Sequence, residues 1–211
     1  RDLQELAEEG KLIKVHGGAL AKSFHFTIES KQVYSLPEKK IIAHKAIDLI
    51  KDGMLVVISG GTTMRELVNM LPPDLNATFV TTNVPIALEL LEHPNAEVIF
   101  LGNKLLKSAQ MAVGAEVVQR LGQIKADLCL LGTNSIDLNF GITDLEWEII
   151  EVKKAMIACA QKTVSLAISE KLNTTQRLQV CALDQVDVLI TELAPTNEKL
   201  TPYAKLGLSV L

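Results

Sequence analysis

The chain has 211 residues, 48% hydrophobic content and a formal net charge of −4, enough for one sizeable α/β domain with a small appendage. No basic field covers it, so most of any nucleic-acid contact surface lies elsewhere. Cys129, Cys159 and Cys181 sit in apolar runs with no CxxC pair, and His16, His25, His44 and His93 lie far apart, so the thiols read as buried and reduced and no metal site is expected.

The opening "RDLQELAEEGKLIKVHGG" reads as a helix end. Leu3, Leu6 and Ala7 share a face, and Gly10 suits the position just past a helix C-terminus. "KLIKV" follows as a short strand closed by Gly17-Gly18. These pieces cannot bury a core alone, and with Arg at position 1 they are expected to be the tail of an N-terminal domain, residues 1–20. Residues 21–36 lack a period and read as a linker, leaving 37–211 as the main domain.

From Pro37 the pattern is regular. Ile42, Ala46, Leu49 and Ile50 form a helical stripe ending at Gly53. "MLVVI" is a continuous apolar strand, and Met64, Leu67, Val68 and Leu71 mark a second helix stopped by Pro72-Pro73. "ATFVT" is the next strand, and "VPIALELLE" a helix with Pro85 near its first turn. "AEVIFLG" and "ADLCLLG" follow as strands, with a helix expected between them over 112–121. A long helix covers about 146–160, then come strands "TVSLAI", "QVDVLIT" and "LGLSVL". This alternation predicts an α/β fold, a mostly parallel sheet covered by helices on both faces. No signal peptide or bilayer-length apolar run is present, so a soluble, cytoplasmic protein is expected.

Parallel α/β sheets bind ligands beyond the carboxyl ends of their strands. This chain places Ser59-Gly60-Gly61-Thr62-Thr63 after one strand, Thr81-Thr82-Asn83 after the next and Gly132-Thr133-Asn134-Ser135 after a third. Glycines admit a ligand to backbone N–H groups, the following helix start adds partial positive charge, and threonine hydroxyls add donors. Such ends suit a phosphate or a sugar hydroxyl. One such turn alone is also an ordinary helix cap, and it is neither a GxxxxGK[ST] loop nor a GxGxxG. Three in one sheet favour the ligand. Lys39, Lys153 and Lys171 could neutralise a phosphate, although by spacing alone each reads as a solvated charge. Asp144, Glu146, Glu148 and Glu151 could hold a general acid or base, but a helix start favours carboxylates anyway. Trp147 reads as core or interface.

The segments "RDLQELAEEGKLIKVHGGAL", "EKKIIAHKAIDLIKDG", "GGTTMRELVNML", "TTNVPIALELL", "VIFLGN", "VGAEVV", "ADLCLLGTNSIDLNFGIT", "VKKAMI" and "SEKLNT" together resemble DeoR-family transcriptional regulators. The first looks like the end of the winged helix-turn-helix, and the others, in family order, like the C-terminal sensor domain. The resemblance implies a bacterial, cytoplasmic regulator, usually a repressor of sugar or nucleoside catabolism. It implies a sensor fold related to ribose-5-phosphate isomerase and a phosphorylated sugar or related metabolite as effector, with no cofactor. It places that effector among Gly61, Thr62, Thr63, Thr82, Asn83, Gly132, Thr133, Asn134, Gly141 and lysines Lys39, Lys153 and Lys171, to which the strand-end reading adds Ser59 and Gly60. Ser59 and Ile168 stand where members often carry Asp. Asn103 replaces the second Gly of a common pair, a position expected to be left-handed.

Two functions are therefore weighed. One is the sensor domain of an oligomeric repressor whose operator DNA is read by the N-terminal domain. The other is a sugar-phosphate isomerase, which would need a carboxylate base within reach of the substrate carbon. The helix-turn-helix remnant favours the first.

Overall fold

The computed structural model describes residues 33–211, with Gln4, 12–15 and 18–21. Contacts divide the chain into two units, Arg1–Leu36 and Pro37–Leu211. In the first, β1 (Leu12–Val15) and β2 (Gly18–Ala21) pair antiparallel, Val15 opposite Gly18. The expected strand is thus one arm of a hairpin. The expected helix end over 3–10, apart from Gln4, and most of the linker over 21–36 lie outside the described residues.

The second unit is built on seven parallel strands. They are β3 (Leu55–Ile58), β4 (Thr78–Thr81), β5 (Glu97–Phe100), β8 (Ala126–Gly132), β11 (Ala160–Leu166), β13 (Val188–Ile190) and β14 (Ser209–Val210). Their order is β14-β13-β11-β8-β3-β4-β5. Val56, Val57 and Ile58 are all buried, because β3 lies between β4 and β8 and carries helices on both faces. Strand alternation divides these residues. Val57, Cys129 and Leu131 share one cluster with Val117 and Leu121 of α4 (Ala115–Leu121) and Ile150 and Met156 of α5 (Trp147–Ala158). The opposite face meets α1 (Leu36–Ile47), α2 (Thr62–Asn69) and α3 (Val84–Leu91), whose Ile42, Met64, Leu67, Ile86 and Leu90 are fully buried. A short α6 (Thr201–Lys205) buries Tyr203 before β14.

Several expectations need correction. The first stripe ends at Ile47, and Leu49 and Ile50 lie in a turn closed onto Ala46 and Ile47 carbonyls. Met111–Val113 opens no helix. It is β7, paired antiparallel with β6 (Lys104–Leu106), and α4 starts only after Gly114. A three-stranded antiparallel sheet, β9 (Ser135–Asp137), β10 (Gly141–Asp144) and β12 (Leu178–Cys181), was not foreseen. Of the two readings of Trp147, core or interface, its 66% exposure removes the first. Asn103 has no left-handed backbone; its side-chain carbonyl accepts from Lys104 N–H at 2.6 Å. The three cysteines are free and buried as expected.

Candidate functional site

The strand order reverses between β3 and β8. From β3 the chain steps to β4 and β5; from β8 it steps the other way to β11, β13 and β14. Loops leaving the two strands depart to opposite sides, opening the crevice in which α/β sheets hold ligands. Three of the polar stretches singled out in sequence end strands here.

Ser59 is buried, and its Oγ accepts the Gly132 N–H at 2.7 Å, tying the two loops together. A Cβ on Gly132 would lie 2.8 Å from the Gly60 carbonyl, so this approach needs glycine. A side chain on Gly60 would strike the Asn83 amide. Gly61, at φ 110°, precedes α2 with no side-chain cap, which leaves the first N–H groups of the helix, at Thr62 and Thr63, without a side-chain acceptor. Asn83 caps α3 through Ile86 N–H at 3.2 Å and donates to the Ala109 carbonyl at 2.9 Å. Thr82 is 1% exposed, and its Oγ1 is buried with no hydrogen-bond partner. A buried hydroxyl in that state costs free energy until something meets it.

Two lysines reach the same place from different elements. Lys153 of α5 donates to the Gly132 carbonyl at 3.0 Å, and Lys171, ending a 3-10 turn at Ser169–Lys171, donates to the Thr133 carbonyl at 2.8 Å. Lys39 of α1 is 7% exposed, as is Lys153, so neither is the solvated charge that spacing suggested. Thr133 Oγ1 bonds Ser165 Oγ at 2.7 Å.

Asp144, a candidate acid or base in the sequence, is the residue whose setting the sequence hides. It was grouped with helix-start acids, yet it ends β10 at 3% exposure. Its Oδ2 lies 2.7 Å from Lys153 Nζ, the Asn134 amide donates to Oδ1 and Oδ2 at 3.1 and 3.2 Å, and Leu145 N–H donates to Oδ1 at 2.8 Å. Burial pushes its pKa up, but the charge and hydrogen bond of Lys153, with those of Leu145 and Asn134, outweigh that and hold it below the usual carboxylate range. Gly141 stands apart. It pairs with Asp137 at the other end of β10, and a side chain there would run into the Cys181 carbonyl.

Burial lowers the pKa of Lys39, against the raising effect of Glu66, Glu38 and Glu170. Lys171 falls to about 7, first through burial and then through Lys39 and Lys153, opposed by Asp144 and Glu170. Lysines gathered beside a helix start whose first N–H groups have no side-chain acceptor are an arrangement that can receive an anion. As a base, Asp144 is poorly placed, since both its oxygens are already engaged.

Among the described residues no group of three or more His, Cys, Asp or Glu could hold a metal, and no helix is long and apolar enough to cross a membrane. The DeoR C-terminal sensor domain family matches residues 35–193 and the DeoR-like helix-turn-helix family residues 1–24. The chain is 31% identical over 91% of its length to the HTH-type transcriptional regulator GlpR of Haloferax volcanii, covering 76% of that protein. It is 32% identical over 93% of its length to the repressor GlcR of Bacillus subtilis, covering 77%. Against the glycerol-3-phosphate regulon repressor of Escherichia coli it is 24% identical over 92% of its length, covering 78%. Among solved structures, eIF2B beta from Chaetomium thermophilum shares the fold at 15% identity and a TM-score of 0.55, over 80% of this chain and 53% of that one. Ribose-5-phosphate isomerase from Methanocaldococcus jannaschii aligns at 18% identity and 0.46, over 64% and 53%. The curated relatives are regulators and not enzymes, and the extent of both family matches decides the matter: the chain belongs to the DeoR family of transcriptional regulators.

Proposed function

We propose that this chain senses a phosphorylated sugar or related metabolite and thereby controls DNA binding as a cytoplasmic repressor of carbohydrate or nucleoside catabolism. Residues 1–20 would belong to the winged DNA-reading head, 21–36 to a linker and 37–211 to the sensor. The observation that carries this reading is the convergence of Lys39, Lys153 and Lys171 on donor-rich strand ends at the reversal between β3 and β8. A phosphate ester brings negative charge to these lysines, and its sugar hydroxyls suit the polar strand ends at Thr82 and Asn134. A relative named as a glycerol-3-phosphate regulon repressor supports the same ligand class.

Control would arise by linkage. An effector that binds one arrangement of a homo-oligomer better than another changes DNA affinity, and DNA changes effector affinity by the same factor. Paired heads reading paired half-sites make at least a dimer the expected assembly. Calorimetric titration with a panel of sugar phosphates, on wild type and on Lys171→Ala, tests the site. The expected result is one phosphosugar that binds wild type and binds the variant at least tenfold more weakly. Equal affinity in the two would remove Lys171 from the site.

A further inference from the structure

We propose that β5 is the seam between two copies of this chain, its open edge pairing antiparallel with β5 of a second copy so that Ile99 lies opposite Ile99. This goes beyond the effector reading and holds whether or not the strand ends bind an anion.

β5 is an end strand of the main sheet, paired with β4 on one side and with no strand of the described residues on the other. The Glu97 N–H donates to the Ala77 carbonyl at 3.0 Å, and the Leu101 N–H to the Thr81 carbonyl at 2.9 Å. Alternate residues of a strand face the same neighbour, so Val98 and Phe100 turn their N–H and carbonyl groups to the open side. Such an edge is a template for a further strand, which folded chains blunt with charge, proline or a cover. Of the four β5 residues, Glu97 alone is charged.

The side chains at this edge are apolar on both faces of the sheet. Ile99 is level with Val80, on the face of α4 and α5, and Phe100 is level with Thr81, on the face of α3. α3 packs along β5. Its Glu89 turns toward α2, where it meets Arg65 at 2.6 Å. Leu91 lies about 200° further round the helix, so it turns away from α2 and toward the edge, with Leu88 one turn behind it. Leu88, Leu91, Ile99 and Phe100 are 40% to 67% exposed. At about 200 Å² for a large apolar side chain, they leave about 400 Å² of apolar surface open. A stable pairing takes about 800 Å² from each partner, a little over half of it apolar, so this edge comes close to the requirement.

A second copy fits because the edge is self-complementary. A two-fold axis normal to the sheet sets β5 antiparallel to its mate and keeps both α3 helices on one face. The register that uses both outward residues puts Val98 of each copy opposite Phe100 of the other, as hydrogen-bonded pairs. Ile99 then meets Ile99 in the closer position between them. Glu97 faces Leu101 of the other copy, so no like charges are opposed.

The test replaces Ile99 by cysteine in the whole chain. Its own three cysteines are buried, and opposed Cα atoms about 4.5 Å apart are within reach of a disulfide. The expected result under mild oxidation is a covalent dimer from Ile99→Cys and little from Glu97→Cys, whose two copies would lie about 13 Å apart. In sedimentation, Ile99→Lys is expected to fall to half the wild-type mass or less, with its far-UV circular dichroism unchanged. Equal cross-linking of the two cysteine variants overturns the register. A wild type that sediments as a 23.0 kDa monomer at high micromolar concentration overturns the proposal. So does an Ile99→Lys chain that assembles as wild type does, since β5 would then face some other partner.

Discussion

The sheet faces and the strand ends of this molecule solve opposite problems. On the faces, Leu67, Met64 and Ile86 leave no accessible surface, and hydrophobic burial there is complete. At the strand ends, equally buried groups are polar. Ser59, Thr82, Asn83, Thr133, Asp144 and Lys153 are each no more than 7% exposed. The faces hold the fold together. The ends bring Lys153 and Lys171 to adjoining loop carbonyls and leave the Thr82 hydroxyl without a hydrogen-bond partner, the kind of departure from good packing that proteins keep at functional sites.

Substitutions break this comparison in graded ways. Asp144→Ala strands Lys153 as a buried uncompensated charge and costs about 3–5 kcal/mol in urea unfolding. A cost below about 1 kcal/mol would mean that the pair is solvated. Because the folded pKa of Asp144 is depressed, its contribution is present above the ordinary carboxylate range. It is lost as pH falls through the folded value, so the variant also shows a weaker acid limb. Leu67→Ala on the opposite face costs about 2–5 kcal/mol and leaves effector affinity intact once folded; a large affinity loss would tie core and site together.

Lys171→Met sharpens the contrast from the charge side. The folded pKa lies near 7 and the unfolded one at 10.5, so between them the unfolded chain holds a proton that the folded chain lacks. Stability of the unliganded protein rises with pH over that window through this residue, and the variant shows a shallower rise. Identical slopes would place the Lys171 ammonium in water. Thr62→Val, at the uncapped start of α2, is the smallest change. It alters stability by no more than about 0.5 kcal/mol and weakens phosphosugar binding several-fold, readable in one calorimetric series.

Much of the main sheet was legible because its strands are buried on both faces. Runs such as "LVVI" and "ADLCLLG" show as continuous apolar stretches between turn signals. The small sheets were not. "KLL", "MAV" and "SID" are three-residue strands, too short to display a period, and "MAV" runs straight into the α4 pattern. The polar strand ends were visible as residue types, but the reversal between β3 and β8 is a property of strand order, which no local pattern encodes. Asp144 was hidden for a related reason. Its neighbours Glu146 and Glu148 do sit at a helix start, and only the folding of β10 against Asn134 and Lys153 separates it from them.

The most direct test of the site is thermal unfolding of this chain with phosphorylated sugars beside their unphosphorylated counterparts. At a hundred times its Kd, a ligand stabilises the folded state by about 2.7 kcal/mol, a rise of several degrees for a domain of this size. The account predicts that at least one phosphosugar raises Tm while the matching free sugar does not. A free sugar that stabilises as well as its phosphate ester, or a broad panel with no shift at all, would contradict it.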